Sequence, residues 1–331
     1  MTATTGTQAG PDLRATRQER VFDAMDQAGL DLLVLHRRDS VAYACGVERL
    51  WTAGTRPFSA SGVLVAAGRS VHLMSTWDEG VPPEIPFDHL YGMTWNPAIM
   101  ERSIGAIPGF AAARRIGVDG LSVGFAAMAR RIAPEAEIVP ADDLVYDLRA
   151  VKLAAELDLL RAASAVAASA VAAATTALSD GAPPSAALAD AVQAAAAQGV
   201  TIPASAPLVI AHGDLVHVDI GVLVDDYEGG QGRTVGPAET VAAAGEAHHA
   251  FVAACGPDAT AAALRAAASS IGLDTWRVRG TGLGYEPPVI TATFGGDAQL
   301  RAGMTLSVET QLGGMHHRDL VYVGPTATEP V

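Results

Sequence analysis

The segment HVDIGVLVDDYEGGQGRT, residues 217–234, is typical of two strands joined by a hairpin turn at Asp225-Asp226. Successive side chains of a strand point to opposite faces of the sheet. One face of the first strand is therefore apolar, with Val218, Ile220 and Val222, and the other face carries polar residues and a glycine. The residues of the polar face are His217, Asp219 and Gly221 on the first strand and Glu228 and Gly230 on the second. We expect the apolar face to pack in a core and the polar face to be available for chemistry.

Length, composition and net charge limit the classes of protein to which the chain can belong. The chain has 331 residues, of which 50% are hydrophobic and 18% charged, so it can form two domains with sizeable cores. The formal net charge of −14 argues against nucleic acids or anionic membranes as partners, because both require a basic face. The two cysteines, Cys45 and Cys255, form neither a CxxC motif nor a disulfide framework.

Two segments are candidates for a signal peptide or a membrane span, and neither has the composition that such a segment requires. Residues 1–15 lack the basic start and apolar centre of a signal peptide, and we expect them to form a flexible tail. The longest apolar run, Ala162 to Leu178, is mostly alanine with Ser and Thr, and is too weakly hydrophobic for a membrane span. The sequence therefore favours a cytoplasmic protein.

Hydrophobic periodicity divides the chain into two parts. From residue 16 onward, short strands alternate with helices, which predicts an α/β domain. Residues 144–178 form a long helical tract, a second helix follows, and strands dominate from Thr201. We expect a flexible tail over 1–15, an N-terminal domain over 16–148 and a C-terminal domain over 149–331.

Six segments resemble, in order along the chain, motifs of the creatinase/aminopeptidase P/prolidase family. They are RAVKLAAELDLLRAA (149–163), GDLVHVDIG (213–221), DYEGGQGRT (226–234), RGTGLGYEPP (279–288), GMTLSVET (303–310) and RDLVYV (318–323). The resemblance implies an α/β (α+β) protein in which a creatinase-like N-terminal domain precedes a "pita-bread" catalytic domain. A shared fold does not by itself carry the site with it.

The metallopeptidases of that family bind two divalent ions through five side chains, and the resemblance locates those positions here. The first Asp falls on Asp219 and the first Glu on Glu309, so both are retained. The second Asp falls on Gly230, the His on Thr281 and the last Glu on Arg318. Two carboxylates cannot hold a dinuclear centre, and a guanidinium would compete with any cation. We therefore expect no catalytic metal and no other cofactor.

Arg318 suggests how the charge of a lost metal could be replaced. A planar guanidinium can bridge two carboxylates, and we expect Arg318 to lie between Asp219 and Glu309. Alternatively, its long side chain leaves the site for solvent. Strand parity adds three candidates to these residues. The full candidate cluster is His217, Asp219, Glu228, Glu309, His316 and Arg318.

Within this cluster we expect His217 to be the acid/base group, oriented by the neighbouring Asp219, since a histidine can exchange protons near neutral pH. A histidine satisfied within the sheet is the alternative for His217, and an exposed turn is the alternative for His316 and His317. The other candidates would bind substrate. They are His316, Thr281, Tyr285 and Glu286 from the C-terminal domain, with Trp51 and Arg56 from the N-terminal domain.

The predicted contact of Trp51 and Arg56 with substrate depends on an expected homodimer. In the family that the chain resembles, the N-terminal domain often covers the pocket of the partner subunit, so Trp51 and Arg56 could contact a substrate bound by the second copy. Packing in the core is the alternative for Trp51.

The predicted function is a metal-independent, creatinase-like enzyme that hydrolyses a C–N bond in a small, polar, amino-acid-like or amide substrate. Asp219, Glu228 and Glu309 would bind a cationic or amide part of the substrate, and Arg318 a carboxylate. Three alternatives stay open: a non-catalytic binding protein with the same fold, an acid/base elimination, cyclisation or isomerisation, and a metalloaminopeptidase with a single metal.

Overall fold

A computed structural model of the chain describes residues 10–48, 60–75, 80–120 and 122–331. These residues form two compact units, one ending at Leu148 and the other beginning at Arg149. The helices are α1 (Pro11–Ala28), α2 (Arg38–Cys45), α3 (Pro97–Gly105), α4 (Val123–Ile132), α5 (Asp142–Ala150), α6 (Ala154–Ser179), α7 (Pro184–Ala197), α8 (Ala238–Ala254) and α9 (Ala261–Ile271). The strands are β1 (Leu32–Leu35), β2 (Ser61–Val65), β3 (Ser70–Ser75), β4 (Leu90–Gly92), β5 (Arg115–Asp119), β6 (Glu137–Pro140), β7 (Leu208–His212), β8 (Leu215–Val224), β9 (Tyr227–Val235), β10 (Thr275–Gly282), β11 (Gly284–Thr291), β12 (Thr305–Leu312), β13 (Met315–Val323) and β14 (Thr328–Pro330).

The first unit is built around a mixed sheet in the order β4-β3-β2-β1-β5-β6. Strands β1, β5 and β6 run parallel, and β2 is antiparallel to β1 and β3. Apolar residues of β1 and β5 pack in one cluster with residues of α3 and α4. The alternating helices and strands of the sequence therefore form an α/β domain, as expected.

Part of the segment expected to form a tail is helical. Helix α1 begins at Pro11, where the fixed φ of proline suits the first helical turn, and Leu13 is buried. Residues 11–15 are therefore helical rather than a flexible tail. Trp51 and Arg56, expected to contact substrate, lie outside the described residues.

The long helical tract is divided in two. Helix α5 ends at Ala150, Val151 forms a β-bridge with Met304, and α6 begins at Ala154. The carboxylate of Glu156 accepts a hydrogen bond from the backbone N–H of Leu153 at 2.9 Å, which caps the new helix. The helical periodicity continues across this break, so the sequence pattern alone did not show it.

The second unit is an antiparallel sheet covered by helices. Seven strands follow the order β11-β10-β12-β13-β9-β8-β7, and β14 pairs with β13. Helices α6 and α7 pack on β8, where the apolar residues Val218, Ile220 and Val222 are buried, and α8 and α9 supply residues to a second cluster.

Helix α6 is the one helix among the described residues whose length and composition would allow a membrane span. Its residues from Leu160 to Ala174 on one face are buried against the sheet and α7, so it is a core helix of this unit. The strand face opposite these helices is left for the polar residues, as the alternation in β8 predicts.

Candidate functional site

A row of charged residues crosses the polar face of the second sheet. Arg277 on β10 pairs in register with Glu309 on β12, and Glu309 pairs with Arg318 on β13. Arg318 in turn pairs with Gly232 on β9, which pairs with Asp219 on β8. Residues directly opposite each other share a face. Five strands therefore bring four charged side chains and one glycine onto one line.

Arg318 lies at the centre of this row and is only 4% exposed. Its Nη2 atom donates to Asp219 Oδ1 at 2.8 Å and to the backbone oxygen of Ile220 at 2.8 Å. Its Nη1 atom lies 3.7 Å from Glu228 Oε1. The guanidinium thus points into the sheet face rather than to solvent, and it joins two carboxylates from neighbouring strands.

Glu228 is the second carboxylate of this group, and it is buried. Arg279 donates to both of its oxygens, and Thr281 Oγ1 donates to Oε2 at 3.1 Å. Burial lowers the pKa of the Arg279 guanidinium, but the hydrogen bond and the charge of Glu228, with smaller contributions from Glu309 and Tyr285, together outweigh burial and raise the pKa. Arg279 therefore stays charged and holds Glu228 in place.

Glu309 differs from the expectation. It accepts two hydrogen bonds from Arg277 Nη2, at 2.6 and 2.7 Å, although it sits opposite Arg318 in the register. The predicted bridge from Arg318 to Asp219 and Glu309 is therefore wrong in one partner, because Glu228 takes the place of Glu309. Arg277, on the other neighbouring strand, already satisfies Glu309.

The histidines are also arranged differently from the prediction. Asp219 Oδ2 accepts a hydrogen bond from His316 Nε2 at 2.8 Å, whereas His217 Nδ1 lies 3.0 Å from Thr234 Oγ1. Asp219 thus orients His316 and not His217. His316 lies on β13, beyond β9, and it reaches Asp219 over Gly232, where a Cβ would lie 2.5 Å from His316 Nε2 and 2.8 Å from Asp219 Oδ2. The rings of His217 and His316 remain close, with centroids 6.4 Å apart.

These contacts fix the tautomers of both rings. An ionised carboxylate only accepts, so His316 carries its proton on Nε2 and leaves Nδ1 free. Thr234 Oγ1 accepts from the backbone N–H of His316 and donates to the His316 carbonyl, so its contact with His217 Nδ1 must be a second accepted bond. His217 Nε2 is then a free base. Burial, followed by His316 and His212, lowers the pKa of His217 and keeps it neutral at neutral pH.

The sequence Gly229-Gly230-Gln231-Gly232 is explained by three close approaches. A Cβ on Gly229 would collide with the backbone of α6 at Ala163. A Cβ on Gly230 would lie 2.7–2.9 Å from the Arg318 guanidinium, and one on Gly232 would lie 2.5 Å from His316 Nε2. The first glycine thus lets a helix approach, and the other two make room for Arg318 and His316.

The remaining candidates divide between the two faces. Tyr285, which is 54% exposed, lies at the edge of the site, where the guanidinium of Arg279 stands 5.1 Å from its ring centroid. Glu286 pairs in register with Gly280 and so lies on the opposite face from Arg279. It is buried there against Lys152 Nζ at 2.5 Å and Arg149 at 3.3 Å, and its predicted role in binding substrate is not supported.

Sequence analysis missed three residues of the site. Arg277 and Arg279 precede Thr281 at intervals of two residues, so strand parity alone would have placed them on the same face. Thr234 ends the segment 217–234, two residues after Gly232 and on the same face of the strand. No local signal shows which carboxylate each arginine binds.

The side chains do not fit a two-metal centre. At the five expected positions only Asp219 and Glu309 are carboxylates, and each is already bound to an arginine. Across the described ranges there is no group of three or more His, Cys, Asp or Glu residues arranged to hold a metal ion. A divalent metal requires more oxygen or nitrogen ligands and does not share a site with a guanidinium.

Comparisons with known proteins agree with this fold. The creatinase/prolidase N-terminal domain model matches residues 17–151, and the metallopeptidase family M24 model matches residues 191–325. No curated protein sequence is significantly similar to the chain.

Solved structures match nearly the whole length. A prolidase from Pyrococcus horikoshii is 18% identical with a TM-score of 0.74, over 95% of this chain and 97% of that one. An Xaa-Pro dipeptidase from Bacillus anthracis is 18% identical with a TM-score of 0.74, over 96% and 97%. A dipeptidase from Mycobacterium ulcerans is 24% identical with a TM-score of 0.71, over 96% and 95%. At these identities the structures establish the fold.

The two family models follow each other along the chain as the two structural units do. Both the order of the domains and the pita-bread sheet are those of peptidase- and prolidase-like hydrolases. The chain is therefore a member of the creatinase/M24 family, with an N-terminal creatinase-like domain and a C-terminal pita-bread domain.

Proposed function

We propose that the protein is a metal-independent hydrolase that cleaves a C–N bond in a small amide substrate. The observation that carries the proposal is the position of Arg318. Its guanidinium fills the space in front of Gly230, where the family has a metal-binding carboxylate, and binds Asp219 and Glu228. A fixed protein cation replaces the charge that a metal would bring.

The acid/base group is the His316–Asp219 pair. Nδ1 of His316 takes a proton from a water molecule whose oxygen attacks the amide carbon, and Asp219 stabilises the imidazolium that results. The same proton then passes to the leaving nitrogen as the C–N bond breaks, so that the products are an acid and an amine. His217, neutral and with Nε2 free, is the second base within reach of this position.

The charges at the site favour a substrate with an acidic or neutral end. Asp219, Glu228 and Glu309 all bind arginines, so a cationic substrate group would have to displace a protein cation. Arg277, 45% exposed, and the exposed ring of Tyr285 border the site and are available to a carboxylate and an apolar group. This revises the expected role of the three carboxylates in binding a cation.

The names of the matched structures support an amide bond as the target. Those proteins are described as prolidase, Xaa-Pro dipeptidase and dipeptidase, which cleave peptide bonds. A homodimer in the cytoplasm, in which Trp51 and Arg56 of one copy contact the substrate of the other, belongs to the same proposal.

The test is a screen of dipeptides, N-acyl amino acids and other small amides with protein treated with EDTA, with amine release as the readout. We expect hydrolysis that needs no added metal and falls by about 10²-fold or more in His316→Ala, the usual contribution of a general base. His249→Ala, on the exposed side of α8, is the matched control and should keep full activity. Activity that appears only with added Mn²⁺ or Zn²⁺ would overturn the proposal.

A binding protein without catalysis is the second candidate. The observation in its favour is that Asp219, Glu228 and Glu309 each pair with an arginine, which leaves the histidines of this face to transfer protons. A compound that co-purifies with the protein and is returned unchanged after long incubation would identify this alternative.

A further inference from the structure

The two faces of strand β7 have different surroundings. Val209 packs against the cluster formed by residues of α6, α7 and β8. Leu208 and Ile210 point to the opposite face, because successive side chains of a strand alternate. They are 39% and 44% exposed, which is unusual for large aliphatic side chains. We define Leu208 and Ile210 as the β7 strip.

The strand register places the β7 strip beside the candidate site. Leu208 pairs with Asp219, and Ile210 pairs with His217, in the antiparallel ladder between β7 and β8. Directly opposite residues of such a ladder share a face and have Cβ atoms about 4.5–5.5 Å apart. Leu208 therefore extends the row that runs from Arg277 to Asp219 by one strand, and the last side chain of the row is aliphatic.

We infer that the β7 strip is the subsite for an aliphatic group on the acyl side of the substrate. The inference deepens the proposed function and rests on it for the bond that is cleaved. It narrows the substrates to amides whose acyl part carries several methylene groups, rather than formyl or acetyl amides. Leu208 and Ile210 are thereby specificity-determining residues of the proposed reaction.

The chemistry of the strip favours an aliphatic group. The sequence of β7, LVIAH, contains no carboxylate, amine or guanidinium. A polar group placed on Leu208 and Ile210 would lose water without gaining a hydrogen bond from either side chain. An aliphatic group would instead remove apolar surface from water on both partners. The two residues lie about 7 Å apart along the strand, so the strip is long enough for a chain of a few carbon atoms.

The charges on the other strands set the orientation of the substrate. Asp219, which orients the proposed base His316, pairs directly with Leu208. Arg318 and Arg277 lie in the opposite direction, on β13 and β10. An acyl chain on the strip therefore leaves the amine part of the substrate, with any acidic group, on the side of the arginines. The bond that breaks lies between these two regions, within reach of His316.

A second copy of the chain is the other occupant that an exposed apolar edge strand could take. Pairing of β7 with β7 of another copy would use the backbone groups at the edge of the sheet. The position of the strip favours the substrate, because its side chains lie on the face of the sheet, opposite Asp219 and His217. The oligomeric state of strip variants separates these two occupants.

The experiment measures the binding of N-acetyl-, N-butanoyl- and N-hexanoylglycine by calorimetry, in EDTA, to the wild type and to His316→Ala, in which hydrolysis should be slow. We expect the affinity to rise about 2- to 4-fold for each added methylene, as expected for partly to fully buried aliphatic carbon. Leu208→Thr and Ile210→Thr place a β-branched side chain that suits a strand, and each should reduce the ratio of hexanoyl to acetyl affinity by about 5-fold or more. Phe294→Thr, which changes an exposed apolar residue after β11, is the matched control and should keep the full ratio.

Each outcome decides the inference. An affinity that does not depend on chain length, or a ratio unchanged in both folded strip variants, would overturn it. Strip variants that bind all three ligands as the wild type does, but change from dimer to monomer in size-exclusion chromatography, would show an interface and also overturn it. Chain-length-dependent binding that both variants reduce supports the inference even if the wild type hydrolyses none of the ligands, in which case only the proposed function fails. Hydrolysis at rates that do not depend on chain length has the opposite meaning.

Discussion

At the scale of single residues, Gly230 and Arg318 form a coupled pair. We predict that Gly230→Ala destabilises the protein by about 1–3 kcal/mol, the usual cost of forcing a methyl group into a packed site. The reason is the 2.7–2.9 Å that would separate the new Cβ from the guanidinium. Urea unfolding followed by circular dichroism measures this loss.

Two comparisons isolate the cause of that loss. Gly92→Ala, in β4, adds a methyl group where no atom lies within 4 Å and should have little effect. In the Arg318→Ala background the cost of Gly230→Ala should largely disappear, since adjacent residues that share a contact are not additive. Equal costs in both backgrounds would show that the guanidinium is not what the methyl group meets.

The residue scale also shows where sequence reasoning succeeds. Strand parity and the replacement of an expected carboxylate by Arg318 predicted an ion pair with Asp219, and the structure contains it. The same reasoning failed for Glu309 and His217. Parity specifies the face of a side chain but not which of several neighbours it reaches, and that choice depends on the register and on competitors such as Arg277 and Thr234.

At the scale of elements, a buried ion pair connects the start of the second unit to its sheet. Glu286 on β11 binds Lys152 and Arg149, and the side chains of all three are about 2% exposed. These two cations are the Arg and Lys of the RAVK segment whose resemblance to the family was noted in the sequence. The two basic residues of this motif therefore stabilise the fold, because they hold the junction of α5 and α6 against β11.

We predict that Glu286→Gln destabilises the protein by about 3–5 kcal/mol, because it leaves two buried cations without their carboxylate. The free energy of unfolding in urea is the measurement. Glu137→Gln breaks an exposed pair with Arg115 and provides the control, with an expected loss of at most about 1 kcal/mol. A loss at Glu286 as small as this control loss would mean that the buried network is not structural.

A helix or strand can be predicted from the sequence when its apolar pattern is long enough, but its contacts with distant segments cannot. The alternation of side chains predicts the hairpin of β8 and β9, but it does not explain the glycines of β9. Their reasons lie in α6, Arg318 and His316, which come from distant parts of the sequence. Likewise, the break between α5 and α6 depends on the bridge from Val151 to Met304, a contact that no local pattern encodes.

At the scale of the whole molecule, the sequence predicted the two-part architecture because each part has its own periodicity and its own motifs. The start of α1 was missed because the first helical turn has too few apolar residues to be recognised. The pH dependence of stability could not be predicted from the sequence either, since it follows from burial. His72 on β3 is the clearest case: burial, then the neighbouring His89, lowers its pKa to about 4.

We predict that this histidine makes the protein sensitive to acid. Because the folded pKa lies below the ordinary 6.5, the neutral form is favoured in the fold. Its contribution to stability is complete above pH 6.5 and is lost as the pH falls towards 4. One pKa unit corresponds to 1.36 kcal/mol, so the loss should reach about 1–3 kcal/mol after allowance for solvent screening.

Urea unfolding at pH 7 and pH 4.5 tests the sign as well as the size of this effect. His72→Gln keeps a polar partner for Ser70, 2.9 Å from the imidazole, but cannot gain a proton, so its stability should fall less between the two pH values than that of the wild type. His249→Gln, at an exposed position on α8, should show the full wild-type fall. If His72→Gln loses as much stability as the wild type, the protonation of His72 does not contribute to acid unfolding, and the buried carboxylates of the second unit become the first groups to examine.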